Sequence, residues 1–328
     1  MNNKVLTVVI PSYNVEKYLN ETIPYFLDKR ILSDIEILIV NDGSKDRTSE
    51  IGKEWQLKYP QTIRLINKEN AGHGSTINKG IEEAKGEYFK VVDGDDWVET
   101  EEFVNLICRL KEESADVILT PFKRVIYDAG EEQLVDINGL DAFVEYDFKK
   151  VAVKLVESYQ MHCITIKTEL LRKMPKISEH CFYVDQEYNI YPIQYINTIK
   201  YYPFNVYRYR IGTTEQSMNI FNMIKNRKMH EKVTFNLLAL YLTLDNDFKK
   251  NFVEKRVEMM CERQIRILLS MEITEGTKNE LYNFLRKVKE KSEVIYNNIP
   301  GKKALILRKM GINSYKLVAI IQHGRNKK

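Results

Sequence analysis

The residues best suited to chemistry in this 328-residue chain lie in four short polar stretches, each directly after an apolar run. They are Pro11-Ser12-Tyr13-Asn14, Asn41-Asp42-Gly43-Ser44-Lys45-Asp46, Asn70-Ala71-Gly72-His73-Gly74-Ser75 and Asp93-Gly94-Asp95-Asp96. Three carboxylates within four residues repel one another unless a cation lies between them. A hard divalent ion such as Mg2+ or Mn2+ answers that repulsion, and it is commonly shared between one or two carboxylates and the phosphates of a ligand. Gly94 is expected to let the backbone turn so that Asp93 and Asp95 face the same ligand. The other reading of this loop is a solvated turn capping a helix that starts near Glu99. Asp42, at an earlier strand end, supplies a second acceptor toward the same crevice, fit to take the N–H of a pyrimidine base, although Asn-Asp-Gly-Ser is also ordinary turn and cap chemistry. Tyr13 either stacks on that base or fills core.

Familiar alternatives fail on spacing. There is no G-x-x-x-x-G-K-[ST], Ile77 stands where a third glycine of GxGxxG would be, and no G-x-S-x-G elbow occurs. The His162-Cys163 and His180-Cys181 dipeptides do not match the ligand spacing of a zinc site, so ordinary buried residues are expected there.

These loops need strands to end where they begin. Apolar runs alternating with amphipathic stretches predict parallel strands at Val5–Ile10, Ile35–Val40, Thr62–Ile66, Tyr88–Val92 and Val117–Thr120. Helices are predicted between them at Val15–Leu27, Asp46–Lys58, Gly74–Ala84 and Glu99–Glu113. In an open parallel sheet, ligands bind outside the carboxyl ends of the strands, where all four stretches fall. Phe122–Val135 reads as a hairpin turning at Asp128-Ala129-Gly130, and Ile199–Ile211 as further strand, so the sheet becomes mixed. From about Met218 the period changes to long helices at Ile220–Leu244, Phe248–Met271 and Lys278–Tyr296. The expected class is α/β: a Rossmann-like mixed sheet, mostly parallel in its N-terminal half and flanked by helices, followed by a helical C-terminal region. The expected domains are residues 1–217 and 218–328.

Composition narrows the classes. Hydrophobic residues are 44%, charged residues 29%, and glycine plus proline only 22 of 328, which excludes disordered and collagen-like chains. No apolar run approaches the ~18 residues that span a bilayer. The first strand begins almost at residue 1 without a signal-peptide pattern, and the four cysteines are too few and scattered for a disulfide framework. A cytoplasmic protein with reduced, mostly buried cysteines is expected. The net charge of +4 is uneven, because residues 301–328 carry eight Lys/Arg and no Asp/Glu, leaving residues 1–300 at −4. Lys302, Lys303, Arg308, Lys309 and Lys316 alternate there with Leu305, Leu307, Leu317, Val318, Ile320 and Ile321. The tail either makes peripheral contact with an anionic membrane surface at its inner face or packs as a helical pair on the main domain with a solvated basic face. Nucleic acid is not expected as a partner, since the rest of the chain is acidic and carries no reading motif.

In order along the chain, Val8-Val9-Ile10-Pro11-Ser12-Tyr13-Asn14, Val40-Asn41-Asp42-Gly43-Ser44-Lys45-Asp46, Asn70-x-Gly72, Asn78-x-Gly80 and Asp93-x-Asp95-Asp96-Trp97 resemble family 2 glycosyltransferases of the GT-A fold. The resemblance implies an inverting hexosyltransferase of bacterial-type cell-surface polysaccharide biosynthesis. It implies a nucleotide-diphosphate sugar donor, usually a UDP-sugar, with Mn2+ or Mg2+ on the Asp-x-Asp motif. By position, Pro11 and Tyr13 would frame the base, Asp42 would hydrogen-bond it, and Asn70 and Gly72 would belong to the nucleotide-sugar site. Asp93 would reach the ribose or metal, and Asp95 would be the principal metal ligand.

Inverting transfer also needs a carboxylate base for the acceptor hydroxyl. In Phe182-Tyr183-Val184-Asp185-Gln186-Glu187-Tyr188, Asp185 matches the family's aspartate while Val184 replaces its usual glutamate. Glu187 is the competing base or a partner of Asp185, and an acidic helix cap is the plain reading of both. Tyr207-Arg208-Tyr209-Arg210 and Ser217 look like the family's aromatic-basic segment, with Arg210 either on the diphosphate or paired with a surface acid. The implied acceptor is a glycan, lipid-linked or protein-linked hydroxyl. Two other readings are a nucleotidyltransferase, which lacks its Gly-rich basic loop here, and a non-catalytic nucleotide-sugar or glycan-binding scaffold, which Val184 leaves open.

Overall fold

The computed structural model of the chain describes residues 4–126, 130–212, 219–245 and 247–326. The chain divides into two compact units at residues 213/214.

The first unit contains β1 (Lys4–Ser12), β2 (Ile35–Asp42), β3 (Ile63–Lys68), β4 (Gly86–Val91), β5 (Trp97–Val98), β6 (Val117–Leu119), β7 (Phe122–Ile126), β8 (Glu131–Val135), β9 (Glu145–Asp147), β10 (Ile164–Lys167), β11 (Thr198–Tyr201) and β12 (Tyr207–Ile211). The main sheet has eight strands in the order β3-β2-β1-β4-β10-β6-β11-β9. Pairing is parallel from β3 through β4, and β10 runs antiparallel to both its neighbours. The register sets Ile10 opposite Ile39 and Val9 opposite Val91, so β1, β2 and β4 end at one edge. Val8, Val9, Ile37, Leu38, Ile39 and Val40 are all 0% exposed, as expected for parallel strands covered on both faces. Helices at Glu16–Thr22, Thr48–Lys58, His73–Glu83 and Thr100–Leu110 make the crossovers. A smaller sheet, β5-β12-β7-β8, pairs β12 parallel to β7.

The mixed, largely parallel α/β sheet matches the sequence expectation, with two differences. Ile199–Ile211 is two strands in different sheets, β11 and β12, because Pro203 and its neighbours interrupt pairing. The antiparallel insertion of β10 was not predicted; its four residues, Ile-Thr-Ile-Lys, are too short for a clear period. The expected hairpin is present as β7 and β8, although the Asp128-Ala129 part of its turn lies outside the described residues, as does Ser217.

The second unit is helical, with helices at Ile220–Lys225, Arg227–Thr243, Asp247–Leu269, Glu275–Lys291, Glu293–Asn298, Lys302–Met310 and Tyr315–Asn326. Two of the three long predicted helices are broken. Asn226 takes a non-helical conformation, and Ser292 caps a new helix by accepting the Ile295 N–H at 3.2 Å. No described helix is long and apolar enough to cross a membrane. All four cysteines are free, and all but Cys108 are buried.

His230 in this unit is 0% exposed, with Nδ1 2.8 Å from the Gln264 side-chain oxygen. Burial, with Arg263 adding, pulls it from its usual 6.5 to about 4. Between those values the unfolded chain binds the extra proton, so stability that is complete above pH 6.5 drains away as pH falls toward 4. The loss amounts to about 3 kcal/mol at the acid end. In chemical unfolding across that range, His230→Gln is expected to flatten the slope; an unchanged slope would remove His230 as its source.

Candidate active site

The acidic loop leaves β4 at the shared edge of the main sheet. A side-chain carbon on Gly94 would lie 2.9 Å from the Pro11 carbonyl oxygen and 3.2 Å from Val15. Glycine is therefore required by the close approach of the end of β1, whereas the sequence reading had looked to a backbone turn. Asp96 points inward, 2% exposed, and accepts the Tyr207 hydroxyl at 2.6 Å and the Arg210 N–H at 2.8 Å. The Tyr207 oxygen in turn accepts the Asp93 N–H at 3.2 Å, so β12 clamps the loop from the smaller sheet. Arg210 lies beneath it with its side chain 1% exposed. Its Nε donates to the Asp95 carbonyl at 2.8 Å, Nη2 reaches Glu21 at 3.2 Å, and its guanidinium stacks over Trp97 and Tyr18. Of the two roles expected for Arg210, the acid partner is the one present, and the crevice receives its effect through the Asp95 backbone.

The outward groups are Asp93 and Asp95. Burial and the neighbouring Asp93 push the Asp95 carboxyl up to about 6. Burial and both neighbouring carboxylates raise Asp96 well above the usual range. Burial acts the same way on Asp93, but His73, with Nε2 2.8 Å from its carboxylate, outweighs it and holds Asp93 low. His73 is correspondingly raised: against burial, Asp93, Asp185 and Asp95 all favour its charged form. His162 is packed among the rings of Phe122, Tyr207 and Tyr209, and burial takes it down to about 4. Its Nδ1 is buried with no hydrogen-bond partner. The buried Lys90 ammonium fixes that segment by donating to the His162 carbonyl at 3.0 Å and the Ile164 carbonyl at 3.3 Å.

Ligand atoms of Asp93, Asp96 and His162 lie within 4.8 Å of one another, and among the described residues this group is close enough to share one ion. Crowded carboxylates, one of them titrating near 6, beside an orphaned imidazole nitrogen suit a divalent cation. Of the two aspartates expected at a metal, Asp93 belongs to this group, with Asp96 and His162, and Asp95 does not. Sequence reasoning assigns neither His162 nor His73 to the site. A histidine in a strand-end loop was the available signal for His73; for His162 the sequence held none, since β10 was not legible.

Tyr13 is 49% exposed, which rules out core filling. Asp42 is 2% exposed and its carboxylate is engaged internally. It takes the Ala71 N–H at 3.0 Å, the Gly72 N–H at 2.8 Å and the Lys68 ammonium at 2.5 Å. Asn70 donates to the Asp42 carbonyl at 2.9 Å, and Gly72 adopts φ +85°, a conformation that favours glycine. The loop so fixed meets the segment before Asp185. The Ala71 carbonyl accepts the His180 N–H at 2.5 Å, a side chain on Gly74 would strike the Ser178 carbonyl, and Asn78 holds both backbone groups of Ile177 at 2.9 Å.

Glu187, 0% exposed, accepts from the Ser178 N–H at 2.6 Å and its hydroxyl at 3.0 Å. Its carboxylate is a structural tie. Asp185, at the start of the helix Asp185–Ile190, is half-buried, takes the Gln186 side-chain amide at 2.7 Å, and lies near enough for its charge to act on His73, His162 and Tyr209. His180 and Tyr183 just before it hold positive φ of 51° and 65°, strained for side chains of this size and sustained by the surrounding ties.

The chain is similar to several known proteins. The chain is 39% identical over 114 residues to the uncharacterized glycosyltransferase EpsJ of Bacillus subtilis, covering 35% of this chain and 33% of that one. It is 38% identical over 106 residues to the minor teichoic acid biosynthesis protein GgaB of the same organism, covering 32% and 12%. The matched region thus spans about a third or less of these two relatives. Among solved structures, TarS 1–349 of S. aureus in complex with UDP-GlcNAc aligns with TM-score 0.70 at 18% identity, over 96% of this chain and 90% of that one. The mannosyltransferase PcManGT from Pyrobaculum calidifontis, in complex with GDP-Man and Mn2+, aligns with TM-score 0.54 at 15% identity, over 98% and 88%. These likenesses establish the GT-A fold. The family model Glycosyl transferase family 2 matches residues 7–177, just over half of the 328, and takes in every strand end described above up to Asn78 and the acidic loop; the chain belongs to glycosyltransferase family 2.

Proposed function

We propose that this protein transfers a hexosyl group from a nucleotide-diphosphate sugar, a UDP-sugar first among candidates, to a hydroxyl of a glycan, lipid-linked or protein-linked acceptor in cell-surface glycan synthesis, with inversion. Residues 1–217 form the catalytic domain in this reading, residues 218–328 a helical region, and the protein works at the cytoplasmic face of the membrane. The observation that carries the proposal is the meeting of Asp93, Asp95 and His73 with a half-buried Asp185 at one sheet edge. The UDP and UDP-GlcNAc complexes of TarS support the donor class, and the Mn2+ complex of PcManGT supports the metal.

Asp93, with Asp95, Asp96 or His162, would hold Mn2+ or Mg2+, which when bound supplies positive charge to the leaving diphosphate. Tyr13 offers an exposed ring for the base. Asp42, which the family resemblance assigns to base recognition, acts here by fixing the Ala71–Gly72 backbone at the nucleotide edge. Asp185 takes the proton from the acceptor hydroxyl as that oxygen attacks the anomeric carbon from the face opposite the diphosphate. The bond to the diphosphate breaks as the new glycosidic bond forms, and no covalent intermediate is needed.

The test is release of nucleoside diphosphate from UDP-, GDP-, CDP- and dTDP-sugars with Mn2+, Mg2+ or EDTA. Turnover of one donor, lost with EDTA and in Asp95→Asn, is the expected result. Tight nucleotide binding with no turnover on any acceptor extract would favour a non-catalytic scaffold instead, and no binding of any donor would remove the site assignment.

A further inference from the structure

The last two helices of the second unit, Lys302–Met310 and Tyr315–Asn326, each bury one face and leave another uncovered. Ala304 and Leu307 of the first, and Tyr315, Val318, Ala319 and Gln322 of the second, are all below 8% exposed. The second helix packs on the helix Asp247–Leu269 and is fixed there by Gln322, which donates to the Ser270 hydroxyl at 3.0 Å, and by His323 against the Met271 carbonyl at 2.9 Å. The sequence reading expects this pair to pack on the main domain; its inner face packs instead on a helix of the second unit.

The outer face is not the plain basic surface that reading supposed. Leu317, Ile320 and Ile321 stand 52%, 54% and 42% exposed at i, i+3, i+4 spacing, with Lys316 beside them. On the preceding helix, Leu305 and Met310 are 42% and 62% exposed, alongside exposed Lys302 and Lys309. Five large apolar side chains held in water by a well-packed pair of helices need a partner to cover them. The charge around them selects it, because residues 301–328 carry eight Lys/Arg and no Asp/Glu.

A second copy of this face would bring two such basic segments together, and a nucleic acid would leave the apolar side chains uncovered. An anionic lipid surface satisfies both features: acyl chains take Leu305, Met310, Leu317, Ile320 and Ile321 while headgroup phosphates take the lysines. We propose that the outer face of these two helices docks the protein flat on an anionic phospholipid membrane. This deepens the membrane-side placement within the proposed function, yet it rests on the second unit alone and needs neither donor nor metal.

The experiment is co-sedimentation of the full chain with vesicles of phosphatidylcholine alone or mixed with phosphatidylglycerol. Binding to the anionic vesicles is expected to exceed binding to neutral ones at least about tenfold and to weaken in high salt. Leu317→Ser/Ile320→Ser/Ile321→Ser and, separately, Lys302→Gln/Lys309→Gln/Lys316→Gln are each expected to cut it about tenfold or more, with unchanged helical content and unchanged UDP binding. Lysine dependence without apolar dependence would reduce the contact to nonspecific adsorption and overturn the proposal. So would absence of binding to anionic vesicles, or a concentration-dependent dimer abolished by the serine variant, which would assign the face to a second copy. Failure of donor turnover with vesicle binding intact would instead count against the transferase reading alone.

Discussion

Asp185→Asn is expected to lower kcat for sugar transfer by about 10²- to 10⁴-fold, the usual contribution of a positioned general base, with donor KM little changed. The substitution is nearly isosteric and can keep the contact with the Gln186 amide seen at 2.7 Å, so the fold should survive. What is lost is the acceptor for the attacking hydroxyl's proton. Glu187→Gln makes the informative comparison, because Glu187 is 0% exposed and both of its carboxylate oxygens are engaged by Ser178. Putting an amide there sets N–H against N–H or leaves one oxygen's donor unmatched, at a cost of about 1–3 kcal/mol. Its effect should appear first in Tm and only secondarily in kcat. Steady-state kinetics and thermal unfolding on both variants decide the assignment: a near-wild-type kcat for Asp185→Asn would remove Asp185 as the base.

This division between the two acids illustrates what a sequence can and cannot reveal. Asp185 and Glu187 are two residues apart and chemically alike, and nothing local says which one faces the crevice. The answer depends on Ser178, whose backbone is held in place from the other side by Asn78 through Ile177, 99 residues earlier in the chain. Strand ends are legible for a physical reason: β1 from Leu6, all of β2 and β4 from Tyr88 are buried up to their carboxyl ends, so their apolar runs stop where the backbone reaches the crevice, and the polar loops begin there. The loops at Pro11, Asp42 and Asp93 follow from this; the Asn70 loop follows β3, which is only half-buried. The direction of each side chain is not legible, because it is set by partners distant in sequence. Arg210 looked available for a diphosphate, but Trp97, Tyr18, Glu21 and the Asp95 carbonyl enclose it. His162 arrives beside Asp93 only because β10 inserts antiparallel next to β4, a pairing with no local signature.

Asp42→Ala is expected to destabilise the first unit by about 3–5 kcal/mol, the usual cost of removing one partner from a largely buried ion pair. The Lys68 ammonium would lose its carboxylate at 2.5 Å, and the Ala71 and Gly72 N–H groups would lose their acceptor. A change of that size corresponds to a fall in Tm of roughly 6–20 °C for a domain of this length. The loop it releases is the one that meets His180 and Ser178, so the position of Asp185 should loosen as well, and kcat should fall together with donor affinity. A residue whose whole task was to bind the base would behave differently: donor KM would rise while Tm and kcat stayed put. Asp42→Asn separates the contributions further. It keeps shape and one acceptor oxygen but turns an N–H toward groups that are themselves donors, so it should recover only part of the lost stability. Thermal unfolding of the two variants, with nucleotide binding measured well below the lower Tm, distinguishes these outcomes. An unchanged Tm in Asp42→Ala would return Asp42 to the base-binding role alone and leave the Ala71–Gly72 loop to be held by Asn70 and the packing of Gly74 against Ser178.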